Sequence, residues 1–446
     1  MILRNSENKT KKIHFIGIGG IGVSALAQYY LEKDHKISGS DLSSSEITKM
    51  LKKKGVKIFI GEQKAKNLAK DTNLVIFSPA VPGNNPELKK AKKLDIRYQS
   101  YPEALGELTK KYFTIAVSGT HGKSTTASMI GLLFVKAGLD PTVIIGTKLK
   151  EFQNSNCRVG KSKYLVIEAD EHFASFLNYR PQIIILTNIE KDHLDYYKNL
   201  KNILKSFKKY ISYLPSSGVL IANKDDINIS KIKNLESKTV NYSIKQRESK
   251  EIKKILKVPG THNVYNALAA LTLARILKIP DKVSYKALSK YQGSWRRFET
   301  KQSIINSRQL IIINDYAHHP TEIKATLSAT REKFGKKKIW TIFQPHQYQR
   351  TFYLFKDFIK AFKEADELVL TEIFDVAGRE ELDIKEKTSS KKLANEIKKS
   401  AGWRNKRVHF IKNFQNIPEF LKNKVKENEV IIIMGAGNIY KLYEEF

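Results

Sequence analysis

Apolar residues along the chain gather into short continuous runs that stop at glycine or polar punctuation, with amphipathic stretches between them. Residues 13–18 form the first run, glycines follow, and residues 23–31 carry helical periodicity. A second start lies at 113–117, followed by a glycine turn and a helix from about Ser124 to Ala137, stopped by Gly138. Residues 164–167, 183–187 and 219–222 read as further buried strands. The last third offers 310–313, 338–343, 367–370 and 430–434, again separated by helical stretches. Continuous apolar strands alternating with helices predict parallel or mostly parallel sheets covered on both faces.

The chain of 446 residues is too long for one ordinary core, and no repeat of solenoid length divides it. Three α/β domains are expected, with boundaries near 101–111 and just after Glu299, giving 1–105, 106–299 and 300–446. A hydrophobic content of 41% is enough to fill several cores, which excludes a disordered chain. Nothing approaches the ~18 consecutive apolar residues of a spanning helix, and residues 1–12 are polar with no apolar signal segment. The only cysteine, Cys157, has no partner for an internal disulfide. A cytoplasmic protein is expected. The net charge of +34 raises the question of nucleic acid. Its lysines, however, are spread in small groups such as 52–54 and 336–338, with no zinc-finger spacing or RNP-like aromatic motif. A solvated basic surface is the expectation, without a nucleic-acid or membrane partner.

Two glycine loops carry the chemistry. Gly17-Ile18-Gly19-Gly20-Ile21-Gly22 satisfies G-x-G-x-x-G between a strand and a helix, where backbone N–H groups and the helix dipole favour a pyrophosphate. Asp41, ending the next strand, is placed for a ribose hydroxyl. NAD, FAD and nucleotide-sugar sites share this pattern, so it marks anion binding and no one ligand. The second loop, Ser118-Gly119-Thr120-His121-Gly122-Lys123-Ser124-Thr125, is sharper. Its N–H groups can cradle phosphate oxygens, Lys123 can neutralise terminal phosphates, and Ser124 can ligate Mg²⁺. A general P-loop needs glycine where this chain has Val117, so the shortened form is not generic. Glu168-Ala169-Asp170-Glu171 and Asn188-Ile189-Glu190-Lys191-Asp192-His193 follow two later strands. Ligands of open α/β sheets lie beyond the carboxyl ends of strands, so both acidic segments are expected to converge on the second loop. The first domain is expected to be Rossmann-like, the second P-loop ATPase-like and the third Rossmann-like.

GIGGIGVSALA at 17–27, SGSDL at 38–42, SPAVPGNNPEL at 78–88, GTHGKST, EADE, ASFL at 174–177, TNIEKDHLD, GTHNVYNALAA at 260–270, RRFE at 296–299, DYAHHPTEI at 315–323, FQPHQYQR at 343–350 and MGAG at 434–437 run in order over the chain. Together they resemble the Mur ligase family, and within it the branch that joins L-alanine to UDP-N-acetylmuramate with ATP.

The resemblance implies that Gly17, Gly19, Gly20, Gly22, Asp41 and Ser78 serve the nucleotide sugar. It places ATP against Gly119, Thr120, His121, Gly122, Lys123, Ser124 and Thr125, with Asn266 at the adenine, Arg297 near the terminal phosphate and Asp315 across the domain junction. It gives one magnesium to Ser124 and Glu168 and a second to His193. His319 and Arg350 would hold the muramoyl carboxylate or the incoming alanine, and Lys123, Glu168, His193 and Arg350 form the catalytic set. The chain departs from the family's pattern at two points: His172-Phe173 replaces the usual Ser-Asp after EADE, and Gln347 replaces an arginine after Pro-His. Three alternatives remain at this level: a murein tripeptide ligase of cell-wall recycling, an NAD-dependent oxidoreductase, and a basic nucleic-acid-binding NTPase. The recycling ligase usually departs from GIGGIG and carries an insertion after EADE, and the oxidoreductase leaves Gly119–Thr125 unexplained. The NTPase rests on charge alone.

Overall fold

A computed structural model describes residues 10–232, 237–376 and 382–446. Residues 1–9, most of the polar N-terminal stretch, lie outside the described residues. Three sheets follow one another along the chain. The first has five parallel strands in the order Lys57–Ile60, Lys36–Asp41, Lys12–Ile16, Leu74–Phe77, Tyr98–Ser100. The second has seven, ordered Lys238–Tyr242, Val219–Asn223, Ile183–Leu186, Phe113–Ser118, Tyr164–Ala169, Thr142–Leu149, Ser155–Arg158, with the last antiparallel to its neighbour. The third has six, ordered Glu299–Ile305, Arg308–Asp315, Val430–Met434, Ile339–Phe343, Glu367–Leu370, Arg407–Phe410, its first strand antiparallel. Helices pack against the sheets, as the alternating runs predict.

The inner strands are the ones legible as apolar runs, for a physical reason. Ile183–Leu186 and Val430–Met434 are buried along their whole length. Each such side chain gains about 1.5–3 kcal/mol on leaving water, so a polar residue there is costly. The edge strand Glu299–Ile305 alternates between half-buried and exposed side chains and leaves no continuous signature. The expected first strand, 13–18, ends instead at Ile16, because Gly17 takes φ +76° and turns the backbone out of the sheet.

The cores are less separate than three domains lead one to expect. The helix Ile21–Leu31 of the first sheet rests on Thr142–Leu149 and Ser155–Arg158 of the second, and one continuous apolar cluster includes Phe15, Leu26, Ile144 and Phe207. A polar plug crosses this contact. Gln28 Nε2 donates to Asn156 Oδ1 at 2.7 Å, and Asn156 Nδ2 donates to Ser24 Oγ at 3.0 Å. The helix Tyr101–Thr109 completes the joint, and Gly106 permits it: a Cβ there would lie 2.6 Å from the carbonyl oxygen of Asn178. The third sheet keeps its own cores on its two faces.

Candidate active site

In the second sheet, Phe113–Ser118 lies between Ile183–Leu186 and Tyr164–Ala169, so the loop after it is flanked by the segments after its neighbours. The acidic segments converge there, as expected. Gly119 (φ +130°) and Gly122 (φ +81°) shape the loop, and neither position has room for a side chain. A Cβ would lie 2.2 Å from Thr187 Oγ1 at the first and 2.5 Å from Asn266 Oδ1 at the second. Thr187 and Asn188 clamp the loop from the next strand. Thr187 Oγ1 donates to the His121 carbonyl at 2.7 Å, and Asn188 Oδ1 accepts from the His121 N–H at 2.8 Å.

Lys123 opens the helix Lys123–Lys136. Its Nζ donates to the Gly119 carbonyl at 2.7 Å and to Glu171 Oε2 at 2.8 Å. Burial works against its charge, yet Glu171 and Asp170 hold the ammonium above the usual lysine range. Burial pushes Glu171 up to about 7, with Lys123 opposing. Ser124 Oγ donates to Glu168 Oε2 at 2.8 Å, so the two residues expected at one magnesium touch. Asp170, Glu171 and His193 each bring a donor atom within 4.8 Å of the others. Burial depresses His193 to about 3, leaving a neutral imidazole, and its Nδ1 is buried with no hydrogen-bond partner among the described residues. Hard carboxylates beside an orphaned imidazole nitrogen suit a divalent cation.

Two cavities meet at Arg297. One, of about 290 Å³, runs from Gly122 and Thr125 past Asn266 to Asp315 and suits a nucleotide between the second and third domains. Asp315 accepts from the Phe298 N–H at 2.7 Å and the Ala317 N–H at 2.8 Å, which ties it to the domain linker. The other, a chamber of about 390 Å³, is walled by all three domains: Gly22 and Tyr101 from the first, Lys123, Glu168 and His193 from the second, His318, His346, Gln347 and Arg350 from the third. Arg297 lines both cavities.

Several expected residues make contacts within the protein. Asp41 lies at the first glycine loop, but its carboxylate accepts from the Gly19 N–H at 2.8 Å and the Ser43 N–H at 3.2 Å, so it shapes the loop. Ser78 abuts Gly17, where an added Cβ would come within 3.0 Å of Ser78 Cβ, and Gly20 leads into the following helix. Gly22 passes beneath Tyr101, whose ring leaves no room for a Cβ. His319 is buried outside the chamber: Nδ1 accepts from the Thr321 N–H at 3.2 Å and Nε2 donates to the Lys191 carbonyl at 3.1 Å. Its neighbour His318 lines the chamber instead. Thr120 does line the chamber, and its Oγ1 accepts from the Glu190 N–H at 2.9 Å.

Tyr101, His318, His346 and Glu322 also line the chamber, beyond the residues expected there. Glu322 had one signal, its position three residues after the N-cap His319, which is the spacing of a capping box. Its Oε2 accepts from the His318 N–H at 3.0 Å, while its Oε1 reaches His121 Nδ1 at 3.2 Å. His121 Nε2 stands 3.6 Å from Glu190, and Thr321 Oγ1 donates to Glu190 at 2.6 Å. The phosphate loop is thus ionically tied to the third domain. Burial opposes the charge on His121, but Glu190 and Glu322 outweigh it and raise its value from 6.5 to about 10. A raised value stabilises the fold fully below the unfolded value near 6.5, and the contribution is lost as pH rises through about 10. Thermal midpoints measured between those limits are expected to fall with the slope of about one proton. His121→Gln should flatten that slope, and an unchanged slope would remove His121 from the link.

Gln347 lines the chamber, 7% exposed, beside Arg350. It takes φ +71°, which an unbranched arginine tolerates as well as glutamine. Lys123, on the far wall, is the one lysine among the chamber's described lining residues, so no lysine occupies the position of the missing guanidinium. Gln347→Arg is expected to lower KM for the nucleotide sugar or the amino acid while leaving kcat little changed, because the charge would meet ground and transition states alike. A fall in both binding and turnover, at low and high salt, would show that Arg350 alone fills the charge requirement.

A phosphate loop facing an acidic–imidazole cluster, at the meeting point of three α/β sheets, defines a phosphate-binding enzyme of the multidomain α/β class. The chain belongs to the Mur ligase family: the model of its catalytic domain matches residues 12–113, that of its middle domain 117–274, and that of its glutamate ligase domain 296–437. It is 40% identical to the UDP-N-acetylmuramate–L-alanine ligase of Acetivibrio thermocellus over 98% of this chain and 96% of that relative. Among solved structures, UDP-N-acetylmuramate-alanine ligase MurC from Thermotoga maritima superposes with a TM-score of 0.80 at 29% identity, covering 98% of each chain. A murein peptide ligase from Psychrobacter arcticus gives 0.72 at 23% identity, again over 98% of each, and shares the fold. No helix among the described residues is long and apolar enough to cross a membrane.

Proposed function

We propose that this chain joins L-alanine to UDP-N-acetylmuramate, using ATP and releasing ADP and phosphate, as a step in building peptidoglycan precursor. The observation that carries the reading is the single chamber shared by the first glycine loop, the phosphate loop and Arg350, with full-length relatives bearing that name. A carboxylate does not condense with an amine in water because its oxygen leaves poorly. Transfer of the γ-phosphoryl of ATP makes it an acyl phosphate, and that transfer needs positioning and charge neutralisation more than covalent help.

In this reading Lys123 and Arg297 hold the terminal phosphate, Asn266 and Asp315 line the nucleotide pocket, and the loop 17–22 presents its N–H groups to the diphosphate of the sugar nucleotide. Ser124 and Glu168 would hold magnesium and His193 a second divalent cation, and these ions would supply charge neutralisation for the transfer. His318, His346 and Arg350 orient the carboxylates, and the neutral amine of L-alanine attacks the acyl carbon as phosphate leaves. Walls from three domains keep water from the hydrolysable intermediate. A cytoplasmic location goes with these substrates.

Phosphate release is expected to require both UDP-N-acetylmuramate and L-alanine, with glycine or L-serine weaker. Faster turnover with L-Ala–γ-D-Glu–diaminopimelate than with alanine would turn the assignment to a recycling ligase.

A further inference from the structure

Two donor sets share His193. Asp170 and Glu171 make the first, already described. The second contains no member of the first besides His193: one donor atom from each of His172, His193 and Asp195 lies within 4.8 Å of the others. The backbone takes an uncommon path to build it. Phe173 (φ +51°) and Ala174 (φ +53°) are consecutive non-glycine residues in the left-handed region, and the backbone kinks immediately after His172. Such strain persists only where the surroundings hold it, and it gathers at ligand sites.

What the turn achieves is a stack of three rings. Phe173 lies on His172 at 4.2 Å between centroids and 23° between planes, and His172 lies on His193 at 4.1 Å and 15°. Tyr196 closes against Phe173 edge-on at 5.3 Å. Two imidazoles are therefore held side by side. One ring nitrogen of each lies within 4.8 Å of the other and of an Asp195 oxygen.

We propose that His172, His193 and Asp195 form a nitrogen-rich divalent-cation site that takes Mn²⁺, Co²⁺ or Zn²⁺ in preference to Mg²⁺. Magnesium demands oxygen ligands in a near-octahedral shell and keeps its waters. Paired imidazoles favour first-row transition ions, whose affinity for such donors rises along the series from Mn²⁺ towards Cu²⁺. The second metal position of the ligase reaction proposed above would then hold an ion selected by His172. This inference rests on that reaction for its purpose but not for its test.

The test is a titration of the full chain with Co²⁺, without nucleotide or amino acid, followed by visible d–d absorption and by competition with Mg²⁺. Wild type is expected to bind Co²⁺ so that a ~100-fold excess of Mg²⁺ does not displace it, in line with the softness of the donors. His172→Phe keeps an aromatic ring in the stack but removes the donor, and Asp195→Asn removes the carboxylate. Each should weaken Co²⁺ binding at least ~10-fold, the lower bound even for a partner one shell further out. Unchanged binding in His172→Phe would reduce His172 to a packing ring and overturn the site, as would easy displacement by Mg²⁺. Should a variant fold poorly, electron spin-echo spectroscopy of Mn²⁺-loaded wild type counts coordinated imidazole nitrogens directly. Two imidazoles are expected, and one would overturn the proposal. Because no substrate enters these measurements, their failure leaves the alanine-ligation assay untouched, and failure of that assay leaves the metal result intact.

Discussion

Lys123→Ala is expected to lower ligation by about 10³-fold or more while leaving binding of the nucleotide sugar nearly intact, since loss of a charge at a transferring phosphoryl removes several kcal/mol of transition-state stabilisation. Its ammonium is poised inside the loop by the Gly119 carbonyl and Glu171, and it stays charged across any working pH. The first glycine loop, where the sugar nucleotide is proposed to bind, belongs to another sheet and is held by Asp41 rather than by Lys123. Removing the cation also leaves Glu171 alone in a buried site, where it would take up a proton near neutrality. Steady-state ligation and calorimetric titration with UDP-N-acetylmuramate separate the two effects. A variant that keeps a tenth of wild-type activity would mean that the loop does not hold the transferring phosphate.

Arg350→Ala should cost stability as well as activity. The guanidinium is buried against Asp192, with Nε at 3.0 Å from Oδ1 and a terminal nitrogen at 3.4 Å from Oδ2, and the pair joins the third domain to the second. Although burial works the other way, Arg350 and the histidines around it hold the Asp192 carboxyl well below its ordinary range. Breaking a buried pair by deleting one partner leaves an uncompensated charge, a loss of about 3–5 kcal/mol. A lower thermal midpoint is expected together with loss of ligation. Replacing both partners, as Arg350→Met with Asp192→Leu, should restore much of the midpoint, because an apolar pair carries no desolvation penalty. Ligation should stay lost in the double variant, since the chamber then lacks the cation proposed to bind the carboxylate. A single variant with wild-type stability and rate would remove Arg350 from both the joint and the site.

How much of this was legible beforehand depended on whether a feature is local in the chain. Inner strands such as Ile183–Leu186 are readable because burial on both faces forces every residue to be apolar. Glycines at 119 and 122 announce a phosphate loop because close approach and positive φ exclude other residues. Convergence of EADE and the segment 188–193 followed from one rule about strand ends. Glu322 was within reach of a capping-box reading.

The sequence by itself determined the fold class and the family, because each rests on residue types at fixed local spacing. Tertiary structure alone decided which of two adjacent histidines faces the chamber. Side-chain direction at the turn before Pro320 sends His319 to Lys191 and Thr321 and leaves His318 facing inward. It also decided that His172 stacks on His193, that Arg350 answers Asp192, and that the first two domains share a core. These are contacts between residues far apart in the chain or separated by a reversal. No local pattern of apolar and polar positions encodes them, because their energies depend on distance and burial that exist only after the domains have packed.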